Sequence, residues 1–406
     1  MTIRLKMIIA LMIVGIGIIV AASWGVETMD KNNKMTDVQV STKRETWEQR
    51  ADLAQAGLLK QYWNGKLNLF DNLSPCNDLC NEKFHYWWQA HGVDTLVDAY
   101  ARTGDTAYKG YLANMYQGIL DRNGGVWPND FYDDMEWLAL AWLRAYNATS
   151  DEKYKEAALE LWEDIKTGWN EEQGGGIAWR KPQLDYKNTP ANAPAVILAA
   201  RLYKQFGKLE DLAWAKKIYD WQKVSLVDPD TGFVWDGKNR EGDGKIDKSW
   251  EFSYCQGVYI GAGVALFQAT GDKSYLADAA RTAQASKLRL TSPATGMLPS
   301  ESNGDGGLFK GIYVRYLTEL VLADPGQKES LELLVTNADS LWKYGRDEQR
   351  VMFSKSWAAT PEPAEDLSVN LSGVMLLERM AALEKQGLLK RIKALRRGAA
   401  ENLPLY

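Results

Sequence analysis

The sequence predicts an all-α fold, an (α/α)6 toroid of six inner and six outer helices, and three patterns lead there. The first is a weak internal repeat at "AYARTGDTAYKGYLANMY" (99–116), "AYNATSDEKYKEAALELW" (145–162), "LYKQFGKLEDLAWAKKIY" (202–219) and "LFQATGDKSYLADAARTA" (266–283), with a degenerate fifth copy at 322–342. Each copy joins one helix to the next through a short turn marked by Asp105, Asp151, Asp211 or Asp272. The second is a difference in character between the two helices. Those before the turn are apolar nearly all round, as in "WLALAWLRAY" and "GVYIGAGVALF", and belong inside; those after it, as in "DEKYKEAALELWEDI", are amphipathic and belong outside. The third is a long loop after each outer helix, carrying Gly and usually Trp, which alternation gathers at one end of the ring. That end is the functional face.

Taken in order, the chain opens with Arg4 and Lys6 ahead of an uncharged stretch at 7–26. Residues 1–23 read as a signal peptide, with Ala21, Ala22 and Ser23 at a cleavage site, or as an N-terminal membrane anchor of spanning length. Residues 24–44 form a polar linker. The protein is therefore expected outside the cell, secreted or tethered to the membrane at the cell surface. "ETWEQRADLAQAGLLKQYW" (45–63) supplies a first helix, and a loop with Cys76 and Cys80 follows. In an exported chain with three cysteines these two are the natural disulfide pair. No second Cys or His pair completes a metal site, and His85 and His91 are six apart, off a common helix face. Apolar inner helices then run through "DTLVDAYA" (94–101), "WLALAWLRAY" (137–146), "APAVILAARLY" (193–203), "GVYIGAGVALF" (257–267), "GIYVRYLTELVLA" (311–323) and "LSGVMLLERMAAL" (371–383). One domain thus spans 45–385. Residues 386–406 form a basic tail, the frayed end of a solvated helix or a contact for anionic envelope polymer or lipid.

Composition narrows the ligand. A formal charge of −5 over 406 residues leaves no basic footprint for nucleic acid. The 17 Trp and 19 Tyr suit a ligand that offers C–H faces and hydroxyls together, as sugar rings do. A polysaccharide substrate and a monomeric protein are expected.

The chemistry centres on "NDFYDDMEWLALAW", where Asp133 and Asp134 stand at the loop end of an inner helix. Acids at a helix start can simply satisfy free N–H groups and the dipole, contributing about 0.3–1 kcal/mol each. Here the pair lies on the loop face, beside Trp127, Tyr132 and Trp137, with Glu136 a third acid within one turn. Neighbouring side chains on a helix can bring two carboxyls to roughly 5 Å, the spacing of a retaining glycosidase. One then acts as nucleophile, and its charge keeps the other protonated as general acid. That chemistry needs no metal or other cofactor. Trp87, Trp88, Trp179 and Trp235 are candidates for stacking on sugar, and His85, Gln89, Tyr132, Asn188, Asn192, Tyr254 and Gln256 for binding its hydroxyls. Lys310 and Arg315 read as members of structural ion pairs.

The same stretch, preceded by "FHYWWQAHGVDTLVDAY" (84–100) and followed by "GGGIAWR", "NTPANAPA", "GFVWDG", "FSYCQGVYIGA" and "FKGIYVRYL", resembles glycoside hydrolase family 76, the endo-α-1,6-mannanases. The resemblance implies an (α/α)6 barrel and metal-independent, retaining hydrolysis of α-1,6-mannosidic bonds. It makes Asp133 the nucleophile and Asp134 the acid/base. One departure is Cys255, where the family usually has Asn between Tyr and Gln. Other outcomes on this fold are an inverting enzyme pairing Asp134 with Glu251 or Asp366, a transglycosylase, or a non-catalytic surface glycan binder.

Overall fold

Helices that are apolar on every side need a place where no side meets water, and a closed ring provides it. In the computed structural model, which describes residues 45–390, six such helices stand side by side: α2 (Tyr86–Thr103), α4 (Tyr132–Thr149), α6 (Ala193–Phe206), α8 (Ser253–Thr270), α10 (Gly306–Ala323) and α12 (Leu367–Lys385). Each packs on the next, and α12 packs back on α2. The ring is therefore closed. Around it lie α1 (Trp47–Tyr62), α3 (Ala107–Arg122), α5 (Glu152–Lys166), α7 (Leu209–Ser225), α9 (Lys273–Leu290) and α11 (Lys328–Lys343), whose polar faces meet solvent. The export segment, the polar linker and all but the first residues of the basic tail fall outside the described residues. Among those described, no helix is long and apolar enough to cross a membrane.

The repeat signals act as local stops and starts. Gly104, Ser150, Gly207 and Gly271 end inner helices in the left-handed conformation, which reverses the chain within a few residues. Asp151 and Asp272 then cap the following outer helices by accepting the N–H groups of Lys153 and Ser274. Asp211 departs from this pattern: it is buried inside α7 and accepts the Trp162 indole N–H at 2.9 Å. The first outer helix closes the circle, since α1 packs mainly on α12, with the Trp47 N–H bound to Glu384 Oε2 at 2.7 Å.

Short strands stiffen the loop end: β1 (Trp63–Asn64), β2 (Leu69–Phe70), β3 (Leu73–Ser74), β4 (Ala178–Arg180), β5 (Gln183–Asn188), β6 (Gly237–Lys238) and β7 (Glu365–Asp366). β4, β5 and β6 form a three-stranded antiparallel sheet, and β3 pairs with β7 across the closure point. Cys76 and Cys80 are joined in the loop after β3.

About 20 Å along α2 from the loop end, the ring is tied by charge. Asp98, whose side chain is 1% exposed, accepts from Arg315 at 2.8 Å, from Arg144 at 2.5 Å, and from Arg379. Asp94, one turn earlier, takes Arg144 and the Arg315 Nε at 2.9 Å. Arg315 is thus the structural ion-pair member expected, but Lys310 is not: its amine donates to the Lys355 carbonyl and lies 4.4 Å from the Trp357 ring centroid. Replacing Asp98 by Ala takes the shared carboxylate from three arginines, leaving Arg144 and Arg315 with Asp94 and depriving Arg379 of its ion pair, and chemical denaturation should show a loss of about 3–5 kcal/mol. A loss below about 1 kcal/mol would show that the network does not hold the ring.

Candidate active site

The loops at the open end enclose a cavity of about 490 Å³, and its wall includes the start of α4. The backbone of Phe131, bridged to Arg180, delivers Tyr132 into the first turn, so Asp133 and Asp134 follow on consecutive helical positions. Asp133 Oδ1 accepts the Asp134 backbone N–H at 2.9 Å, and its Oδ2 accepts the Trp179 indole N–H at 3.1 Å. Asp134 Oδ2 accepts the Asn129 amide at 3.2 Å. One oxygen of the pair thus serves the helix start, as the simple reading requires. The remaining contacts turn both carboxyls into the cleft.

The two acids differ in what supports their charge. Burial pushes Asp133 up to about 7, against the pull of its two N–H donors. Asp134 is pushed well above the usual carboxylate range, first by burial and then by the charge of Asp133, with the Asn129 amide and the Lys83 charge opposing. The anion of the pair thus has more hydrogen-bond support at Asp133 than at Asp134. Glu136, fully buried one turn further on, is pushed well above the usual carboxylate range by burial and then by the Asp133 charge.

Seven of the thirteen expected site residues meet at this cleft: His85, Trp87, Asp133, Asp134, Trp179, Asn188 and Tyr254 line it. The other six are corrected by the structure. Gln89, Asn192 and Gln256 each use the side-chain amide to bind both the N–H and the carbonyl of one loop residue, Phe70, Ile177 and Val234 respectively. Their hydrogen-bonding capacity goes to holding loops on the inner helices. Trp88 is buried and stacked on His85, Trp235 is buried against Phe233, and Tyr132 is buried over Gly168. The carboxylates considered for inversion also lie elsewhere, for Glu251 pairs with Arg289 and Asp366 accepts the Gly304 N–H.

Several cleft residues were missed from the sequence, among them Asp236, Arg240, Trp250 and Asp305, while Trp87, one of the stacking candidates, lines the cleft. Asp236 directly follows Trp235. In extended backbone, a step of one residue redirects the side chain, so this motif yielded the wrong neighbour. Asp236 is a hub, accepting from Tyr254 at 3.0 Å, from Tyr186 at 3.1 Å and from Arg240. Cys255 is buried with its Sγ 3.5 Å from Asp236, so this departure from the family pattern faces the hub and not open cleft.

A closed helical toroid with paired carboxylates in an aromatic-lined mouth defines the class. The chain belongs to glycosyl hydrolase family 76, whose sequence profile matches residues 46–394. Among solved structures, it is 42% identical to an inactive variant, altered at two consecutive aspartates, of the alpha-1,6-mannanase of Salegentibacter sp. HEL1_6 in complex with alpha-1,6-mannotetrose. That alignment covers 84% of this chain and 100% of the other, with a TM-score of 0.79. The Lin0763 protein of Listeria innocua is 41% identical, covering 84% and 99%, with a TM-score of 0.80. The mannan endo-1,6-alpha-mannosidase DCW1 of Candida glabrata is 27% identical over 256 residues, 57% of each chain. The chain thus spans a little over half the length of that curated relative.

A carboxyl whose folded pKa is raised destabilises the protein once pH exceeds its unfolded value near 4. Asp133→Asn should therefore be more stable than the parent at pH 8, by on the order of 1–3 kcal/mol. The difference should vanish below pH 4 in parallel urea titrations. Equal stability at both pH values would refute the strained environment assigned to Asp133.

Proposed function

We propose that the protein is a retaining, endo-acting hydrolase of α-1,6-mannosidic bonds in mannan-type polysaccharide, with Asp133 as nucleophile and Asp134 as acid/base. The observation that carries this reading is the unequal support of the two neighbouring carboxyls in one cleft. Asp133 has two N–H donors for its anion, while Asp134 is held protonated beside it. Family membership and the mannanases among its relatives supply the substrate class.

In the first step Asp133 attacks the anomeric carbon while Asp134 gives its proton to the departing glycosidic oxygen. A covalent mannosyl ester results. Loss of that proton leaves Asp134 as a base, which takes a proton from water as the water attacks the same carbon and releases Asp133. Two inversions preserve the anomeric configuration. The cleft supplies aromatic faces for pyranose rings in Trp87, Trp179 and Trp250. An amino-terminal export or anchoring segment places this activity outside the cell, in a protein acting as a monomer without a cofactor.

Asp133→Asn and Asp134→Asn should each lower turnover of linear α-1,6-mannan by roughly 10³-fold or more with the fold retained. NMR of early products should show the α anomer; β anomer would reject the double displacement. The nucleophile must be ionised and the acid protonated, so kcat/KM should rise with pH through about 7 and fall again at higher pH as Asp134 loses its proton. A profile that is flat across this range would remove the pair from the reaction.

A further inference from the structure

Asp305 occupies the N-cap position of α10, yet its side chain caps nothing in that helix. Its Oδ1 instead accepts the indole N–H groups of both Trp87, at 3.0 Å, and Trp88, at 2.9 Å. Those residues are consecutive on α2, so their side chains diverge by about 100°. A single oxygen that gathers both N–H groups fixes two side-chain conformations at once. The contact also spans the ring opening, because α12 packs between α10 and α2.

The segment carrying Asp305 is itself held in place. The Gly304 N–H donates to Asp366 Oδ2 at 2.7 Å, and its carbonyl accepts from Ser368 at 2.6 Å. A Cβ on Gly306 would fall 1.7 Å from the Glu301 carbonyl oxygen, an approach open only to glycine. Trp87 lines the cleft and remains partly exposed, whereas buried Trp88 backs His85 at 3.8 Å between ring centroids. Asp305 is exposed on the same wall, and its Oδ2 has no hydrogen-bond partner among the described residues.

We propose that Asp305 builds a sugar subsite beside the Asp133–Asp134 pair: Oδ1 locks Trp87 as the platform for one pyranose ring, and Oδ2 accepts a hydroxyl of that ring. The assignment rests on the glycan-cleaving reading of the cleft. A flat indole and an adjacent anionic acceptor match a pyranose, which offers an apolar face with hydroxyls at its edge. The negative charge has a second consequence. Behind the larger effect of burial, it raises Asp133 and Asp134 alike and so delays the loss of the acid's proton. The other charged or titratable groups around the pair are Lys83, His85 and Tyr86 from the α2 side, Glu136 on α4, Tyr186, Asp236 and Arg240 from the strand loops, and Tyr254 on α8.

Three variants separate these roles. Asp305→Ala and Trp87→Ala should raise KM for α-1,6-mannan, and weaken calorimetric binding of α-1,6-mannotriose, by roughly tenfold, the size of one lost charge-assisted contact. Asp305→Asn keeps an acceptor oxygen and should stay within about threefold of the parent. Both Asp305 variants should move the basic limb of the pH profile to lower pH, and Trp87→Ala should not. Near-UV circular dichroism checks that each variant is folded. Asp305→Ala with unchanged mannotriose affinity and an unmoved basic limb would overturn the proposal. Turnover by the parent protein tests the mannanase reading separately, because the affinity ratio decides the role of Asp305 even if no bond is cut.

Discussion

Three arginines from three different helices converge on one buried carboxylate, Asp98, and the ring depends on that convergence. Arg144 comes from α4, Arg315 from α10 and Arg379 from α12, while Asp98 itself belongs to α2. Apolar packing alone would bring inner helices together without fixing how many close the circle or where the last meets the first. A buried ion cluster is directional and tolerates few arrangements, although its net stabilisation is modest because desolvation offsets the attraction. Its value lies in specifying one closure. The Trp47–Glu384 contact and the β3–β7 pair then fasten the two ends of the chain together on the outside.

With the interior filled and tied well below the loops, the open mouth is the one place where inner-helix starts meet solvent. The loops there are long, and side-chain amides hold them. Gln89, Asn192 and Gln256 grip single backbone residues in the manner of a short strand pair, so each loop is anchored to the helix it leads into. This anchoring gives the cleft walls fixed positions. Asp133 can therefore be reached by Trp179, which arrives on β4, and Trp87 by Asp305, which arrives at the start of α10.

The same architecture concentrates acids. Asp133, Asp134, Asp236 and Asp305 share the cleft wall, with Arg240 the cation tied most closely to them. Burial raises both members of the pair in the first turn of α4, and repulsion adds to it, from Asp236 and Asp305 on Asp133 and from Asp133 on Asp134, at a cost to stability that a polar exterior position would avoid. Such a cost persists where function needs it. Asp236 is spared the full effect by its own donors, Tyr254, Tyr186 and Arg240.

The fold was legible because its determinants are local and repeated: a period of one helix pair, an apolar or amphipathic character for each member, and Gly or Asp at the reversals. The Asp133–Asp134 pair was legible for a similar reason, since two adjacent residues in one helical turn must lie close together whatever the rest of the chain does. The wider site was not. Whether Trp87 or Trp88, Trp235 or Asp236 faces the cleft depends on the rotation of a helix start or the register of an extended loop, which packing sets. Gln89 and Gln256 looked like sugar ligands because sequence gives the chemistry of an amide but not its partner. By itself, then, the chain's periodicity determined the toroid and the site of the acid pair. Only tertiary structure, by fixing side-chain direction and pairing residues more than two hundred positions apart such as Trp87 and Asp305, decided which groups surround it.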